Sequence, residues 1–207
     1  MRVDYIVNSV FTSRTYIVSS EKTQQCVIVD VGDVEPLMEY LNNNQLKVMS
    51  LLLTHAHFDH IYGLPDLLKV YPNLPIYTNA FGVEALGNER VNMSRYHEMP
   101  INYRGDNVRV VSEGNRIPLF EEMEAICYET PGHNPSCLTF EIGDYLFTGD
   151  AFIPGVAVVT NLPKGDKALA EQSLKRIQLL ASDKTVCPGH EIEGFAEIGR
   201  WQRARAM

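Results

Sequence analysis

The sequence predicts an α+β fold in which β-sheets carry helices on their outer faces. Three observations point there. Stretches rich in β-branched and aromatic residues are followed by amphipathic stretches in both halves of the chain. Hairpin signals such as Gly143-Asp144 are inserted among them. The apolar run at residues 48–53 reads as a strand covered on both faces. An all-helical or an all-β domain is thereby excluded. The 207 residues read as a single domain spanning 1–207. A chain of this size buries roughly 70% of its unfolded surface and needs no disulfides to fold.

In chain order, residues 3–10, 14–19 and 26–31 read as strands bounded by polar turns. Residues 34–44 read as a helix, with Pro36 in the first turn, Leu37, Met38 and Leu41 on one side, and an Asn-rich end. After the strand at 48–53, helices are expected at 61–70 and 79–86, with a strand at 75–77 between them. Residues 88–107 are polar and aromatic without clear periodicity. Strands follow at 108–112, 123–130, 137–142 and 145–148. Residues 166–180 give the best helix, because Leu169, Leu174, Ile177 and Leu180 make an apolar stripe opposite charges. A short strand at 185–187 comes next, and a helix is expected in the last residues, with Arg200, Arg203 and Arg205 on its solvated end near Trp201.

Composition narrows the function classes. With 45% hydrophobic and 21% charged residues, the chain is neither disordered, collagen-like nor a coiled coil. Uninterrupted apolar runs are only a few residues long, as at Leu51-Leu52-Leu53, so no membrane span is expected. The start of the chain lacks a signal-peptide core, which points to a cytoplasmic protein. A net charge of −8 disfavours nucleic acid as a partner. Cys26, Cys127, Cys137 and Cys187 show no zinc-finger or CxxC spacing and read as reduced, mostly buried thiols.

The chemistry is concentrated in the histidines. Thr54-His55-Ala56-His57-Phe58-Asp59-His60 directly follows the apolar strand, where an α/β site is expected. His55 and His57 are two apart and project to one side of an extended segment. If the chain then turns, Asp59 and His60 address a neighbouring position, so one loop can serve two adjacent metal ions. Pro131-Gly132-His133 and Pro188-Gly189-His190 each end a strand with a tight turn that presents an imidazole. Phe147-Thr148-Gly149-Asp150 ends another strand with a carboxylate able to bridge two cations. Packing these groups together without a cation leaves polar atoms needing partners. The sixth histidine, His97, reads as a solvated loop residue between Arg95 and Glu98.

In this order and over essentially the whole chain, HxHxDH, PGH, a strand ending in GD and a final PGH resemble the metallo-β-lactamase superfamily. The resemblance implies a four-layer αββα sandwich with a dinuclear metal site along one edge of two sheets. It implies that His55, His57 and His133 hold one metal, that Asp59, His60 and His190 hold the other, and that Asp150 bridges them. Asp59 and Asp150 are then the catalytic carboxylates. Cys26–Gly32 (CVIVDVG) matches the family's early strand and makes Asp30 a residue that orients a ligand histidine from behind. Within the superfamily the sequence is most similar to short glyoxalase II-like hydrolases, in Asn92-Met93-Ser94 and in Leu162-Pro163-Lys164-Gly165-Asp166. It departs from them at Val158-Val159-Thr160-Asn161, where that group often carries Gly-Arg-Thr-Asp, and at Ser136-Cys137. With 17 residues after His190, the helical domain that helps long glyoxalases II hold glutathione is expected to be missing.

The expected activity is hydrolysis of a small-molecule acyl substrate (thioester, ester or lactone) by a bridging hydroxide. Two divalent ions are expected, zinc first, with iron or manganese also suited to mixed His and carboxylate ligands. Alternatives on the same scaffold are a phosphodiesterase and an iron-dependent sulfur dioxygenase; a non-enzymatic binding module ranks last. No G-x-S-x-G occurs, so an α/β-hydrolase mechanism is disfavoured. The pocket walls are expected in residues 88–103 and 152–163, with Met93, Tyr96 and Phe152 among them. Oligomeric state is not written in the sequence.

Overall fold

The computed structural model of the protein describes residues 1–191. The helix expected in the last residues, with the arginines around Trp201, falls outside the described residues. The first sheet has six strands in the order β1-β2-β3-β4-β5-β6. These are β1 (Arg2–Val7), β2 (Arg14–Ser19), β3 (Gln25–Val29), β4 (Lys47–Leu52), β5 (Ile76–Thr78) and β6 (Val108–Val110). The second has five, in the order β11-β10-β9-β8-β7, made of β7 (Arg116–Phe120), β8 (Met123–Glu129), β9 (Leu138–Ile142), β10 (Tyr145–Gly149) and β11 (Thr185–Pro188). Both sheets are mixed. In the first, β1, β2 and β3 pair antiparallel and β3 to β6 pair parallel. In the second, only β10 and β11 are parallel.

The layers follow from side-chain alternation along the strands. Ile17, Ile28 and Leu51 face one way and pack with Leu37 and Leu41 of α1 (Val34–Asn43) and with Leu64 and Leu67 of α3 (Leu64–Val70). Their neighbours Val18, Val27, Val29 and Leu52 face the other way, onto Ile117, Leu138, Phe140 and Phe147 of the second sheet. After α4 (Ala80–Leu86), the last described helix is α5 (Lys167–Leu180), and outside the second sheet Leu146 and Val186 pack against its Ile177. The result is helix, sheet, sheet, helix, the expected αββα sandwich. No helix among the described residues is long and apolar enough to cross a membrane. All four cysteines are free and buried.

Three elements differ from expectation. The predicted helix at 61–70 is two helices, α2 (Phe58–Ile61) and α3, broken at Gly63, where a Cβ would meet the Gly32 carbonyl oxygen at 1.9 Å. The first strand stops at Val7, and a tight turn follows in which Ser13 N–H donates to Val10 O at 3.1 Å. The strand β7 was hidden by Pro118, which lacks a ladder N–H; it is accommodated because β7 is an edge strand.

Candidate metal centre

Six of the eight expected site residues sit at or just beyond the carboxyl end of a strand. Asp30 follows β3, His55 and His57 follow β4, His133 follows β8, Asp150 follows β10 and His190 follows β11. Asp59 and His60 ride on α2, which begins at once after His57. The backbone turns that present His133 and His190 depend on glycine. Gly132 has φ of 139° and lies where a Cβ would sit 2.3 Å from the Ala170 backbone. At Gly189 a Cβ would meet Asp150 Oδ1 at 2.2 Å and His60 Cε1 at 2.9 Å.

The structure brings all seven proposed ligands together, in three overlapping groups: His55, His57 and His133; His55, His60 and Asp150; Asp59, His60 and His190. Within each group the ligand atoms lie within 4.8 Å of one another. His133 Nε2 is 2.9 Å from His57 Nδ1, and His60 Nε2 is 3.3 Å from His190 Nε2. Asp150 spans the groups, with Oδ2 3.5 Å from His133 Nε2 and 3.3 Å from His190 Nε2, and Oδ1 3.4 Å from His60 Nε2. Asp59 Oδ2 lies 3.2 Å from His190 Nε2 and 3.5 Å from His60 Nε2.

Each imidazole is fixed through its other nitrogen. His133 Nδ1 donates to Val159 O and His190 Nδ1 to Phe11 O, both at 2.8 Å. His60 Nδ1 meets Asp30 Oδ2 at 2.8 Å. His55 Nδ1 faces Thr54 Oγ1 at 3.3 Å, and Asn134 Nδ2 holds His57 Nε2 at 2.9 Å. Such outer partners set which nitrogen turns inward. Asp30 is itself locked by Thr54, which donates its N–H at 2.7 Å and its hydroxyl at 2.6 Å.

The residues fit a cation. Among the described residues, His55 Nε2 and Asp150 Oδ1 are buried with no hydrogen-bond partner, an expensive arrangement that a metal ion relieves. Burial holds His55 well below the usual imidazole range, and it brings His57 down to about 4, so both are neutral near pH 7. Burial pulls His60 and His190 the same way, but the carboxylates outweigh it. Asp59 and Asp150 push His60 well up, and their hydrogen bonds raise His190 to about 9. A cation binding at His60 or His190 would have to displace these protons. Burial would raise Asp150, yet facing His60 and His190 keeps it well below the carboxylate range.

Sequence reasoning missed several parts of the site. The Val159 and Phe11 carbonyls carry no side-chain signature. Asn134 stands beside His133 but belongs to no ligand motif in the sequence. Its Oδ1 takes the N–H and hydroxyl of Ser136, leaving its amide for His57. His97 corrects the solvated-loop reading: it is half-buried, and its ring stacks on Phe58 with centroids 3.7 Å apart and planes at 14°. Phe152 packs into the core under α5, whereas Ile153, Val156 and Val159 from the same loop line a small cavity of about 30 Å³ with His133 and Asp150. Tyr96 is exposed.

The profile of the Metallo-beta-lactamase superfamily matches residues 9–190. A protein named hydroxyacylglutathione hydrolase from Pectobacterium atrosepticum is 30% identical over 172 residues, which are 83% of this chain and 59% of that one. The chain therefore spans about 59% of the length of that relative. Among solved structures, the BLEG-1 B3 metallo-beta-lactamase superposes with a TM-score of 0.83 at 26% identity, covering 92% of each chain. TTHA1623 in a di-iron-bound form gives 0.78 at 27% identity, covering 91% of this chain and 92% of that one.

Proposed function

The chain belongs to the metallo-beta-lactamase superfamily, and from that premise we propose that it is a two-metal hydrolase of small acyl substrates such as thioesters, esters or lactones. The observation that carries this reading is the convergence of five imidazole nitrogens and two carboxylates, with every imidazole anchored through its far nitrogen. Likeness to relatives named hydroxyacylglutathione hydrolase supports the acyl class.

His55, His57 and His133 would hold one ion, Asp59, His60 and His190 the other, with Asp150 between them. Divalent ions bound there supply Lewis acidity and bring the pKa of water down towards 7. The chain's own groups do the rest. Asp150 keeps the two ligand sets at a fixed separation. Asp59, less buried than His55 or His60, is the carboxylate that would take the proton given up by the attacking water. No side chain is needed as nucleophile: Ser136 Oγ is engaged by Asn134 Oδ1 at 2.6 Å and by Ala56 N–H at 3.0 Å, and burial pushes the Cys137 thiol well up. Ile153, Val156 and Val159 give the cavity beside His133 an apolar side, suited to a small acyl group.

Zinc is the first expectation for the metal. A second reading is favoured by one observation, the similarity to a protein solved in a di-iron-bound form. Nitrogen and oxygen donors of this kind accept iron or manganese as well. Metal analysis of the purified protein, with its visible spectrum, decides between them.

The function is tested by assaying metal-loaded protein on lactoylglutathione, a simple aryl ester, a lactone, a phosphodiester and a β-lactam. Metal-dependent turnover of the acyl substrates is expected. Val158-Val159-Thr160-Asn161 lacks the Arg and Asp common in glyoxalases II, so the glutathione substrate should show a high KM. Turnover confined to the phosphodiester overturns the acyl reading.

A further inference from the structure

The side chain of His97 links two segments that hold the candidate metal ligands. Its ring lies flat on Phe58, which stands between His57 and Asp59 in the sequence. Its other neighbour is Phe11, in an edge contact with centroids 6.3 Å apart and planes at 71°. The Phe11 carbonyl is the group that anchors His190 Nδ1. Three rings from three distant parts of the chain thus meet within one residue of the metal motif.

Phe58 is buried beneath the His97 ring, at 8% exposure, so the open side of this group is made by His97 and Phe11. The Phe11 side chain is 68% exposed, and two further large apolar side chains of the His97 segment, Tyr96 and Met99, are 74% and 76% exposed. Phe11 and Thr12 occupy the two central positions of the turn after β1, with φ of 52° and 56°. Two positive φ values match a type I′ turn, where Asn-Gly is the unstrained choice. A bulky and a β-branched residue in those positions are strained, and strain of this kind concentrates at functional sites. Here the turn aims one carbonyl at His190 and holds an aromatic ring out in solvent. Burial in the protein does not explain that ring; a ligand lying against it would.

We propose that His97 is a specificity-determining residue: backed by Phe58 and flanked by Phe11, it forms an aromatic wall beside the metal centre that takes a flat, apolar group of the substrate. The inference rests on the acyl-hydrolase reading for what the metals do to the substrate. The wall itself is a binding feature and exists without turnover. Flat rings stack in offset or edge geometry on exposed aromatic faces, so a phenyl-bearing substrate gains contacts that an acetyl one does not.

Metal-loaded wild-type protein, His97→Ala, His97→Phe and Phe11→Ala are compared, with metal content measured for each. Benzoate and acetate are the binding probes, followed by calorimetry and by the His97 ring signals in NMR. S-benzoyl and S-acetyl thioesters of one small thiol, and benzyl and methyl thioesters of acetate, are the turnover probes. Wild type should bind benzoate at least tenfold more tightly than acetate, and benzoate should shift the His97 ring signals. His97→Ala should erase that preference with metal content unchanged, and His97→Phe should restore it. In turnover, His97→Ala should raise KM about tenfold for the phenyl-bearing member of at least one thioester pair, leaving its small counterpart within twofold. Equal affinity of wild type for the two carboxylates overturns the wall. So does a parallel loss of both in His97→Ala, which would make His97 a support for the ligands instead. Selective binding without hydrolysis of any thioester would leave the wall standing and refute the hydrolase reading alone.

Discussion

Asp30 Oδ2 lies 2.8 Å from His60 Nδ1, so a carboxylate at the end of β3 fixes a candidate ligand on α2 across the site. The same carboxylate takes two hydrogen bonds from Thr54, the residue before His55. Replacing Asp30 by Ala leaves three buried polar groups short of a partner. Metal affinity should fall about 10–100-fold, the usual cost of losing such a partner. Stability should fall by about 1–3 kcal/mol. Metal titration and chemical denaturation check both; unchanged affinity would show that His60 does not need this anchor.

Gly189→Ala tests the close approach of the last turn to the site. The new methyl would collide with Asp150 Oδ1 and His60 Cε1. Metal should be lost while the cores stay packed. Gly114→Ala is the comparison: its φ of 75° makes it strained, but nothing lies within 4 Å, and it should keep its metal. Equal metal content in the two variants would contradict the geometry.

Metal binding should expel protons. In the metal-free protein burial lowers His190, but the hydrogen bonds it donates to Asp150 and Asp59 raise it to about 9, while an unfolded histidine titrates near 6.5. The folded form binds the extra proton, so this contribution to metal-free stability is full below about pH 6.5 and drains as pH rises to about 9. A metal needs the lone pair that this proton occupies. Affinity should therefore climb with pH from 6.5 to 9, with a proton released per site near pH 7. Calorimetry in buffers of different ionisation heat measures that release, and a value of zero would refute it.

Chelation should destabilise the fold as well as silence it. A ligand at about 1,000 times its Kd adds about 4.1 kcal/mol. For a domain of this size each kcal/mol moves Tm by about 2–4 °C. Removing the metal should then lower Tm by about 8–16 °C, as a thermal scan with and without chelator will read.

Much of this was legible in the chain because the signals are local. Strand alternation at Ile17-Val18 and Leu51-Leu52 separates the helix-facing core from the one between the sheets. The three histidine motifs carry side chains whose chemistry is readable one at a time. What stayed hidden depends on backbone or on distance. Phe11 and Val159 serve through their carbonyls, which any residue has. His97 gains its neighbours only because the long 88–107 segment folds back onto Phe58, and no periodicity announces that. Pro118 masked a strand because its exclusion from ladders is relaxed at an edge.

If Asp150 joins two three-ligand sets into one two-metal site, as proposed above, the metal content of the protein depends on its carboxylate. Metal analysis of the wild type and of Asp150→Asn, each purified with metal in excess, tests it most directly. The substitution keeps the volume, removes one negative charge and weakens the oxygens that face His133, His190 and His60. About two ions per chain are expected in the wild type. In Asp150→Asn one or none is expected, with circular dichroism unchanged and turnover lower by orders of magnitude. Two ions retained in Asp150→Asn, at the wild-type rate, would show that this carboxylate merely ends a strand.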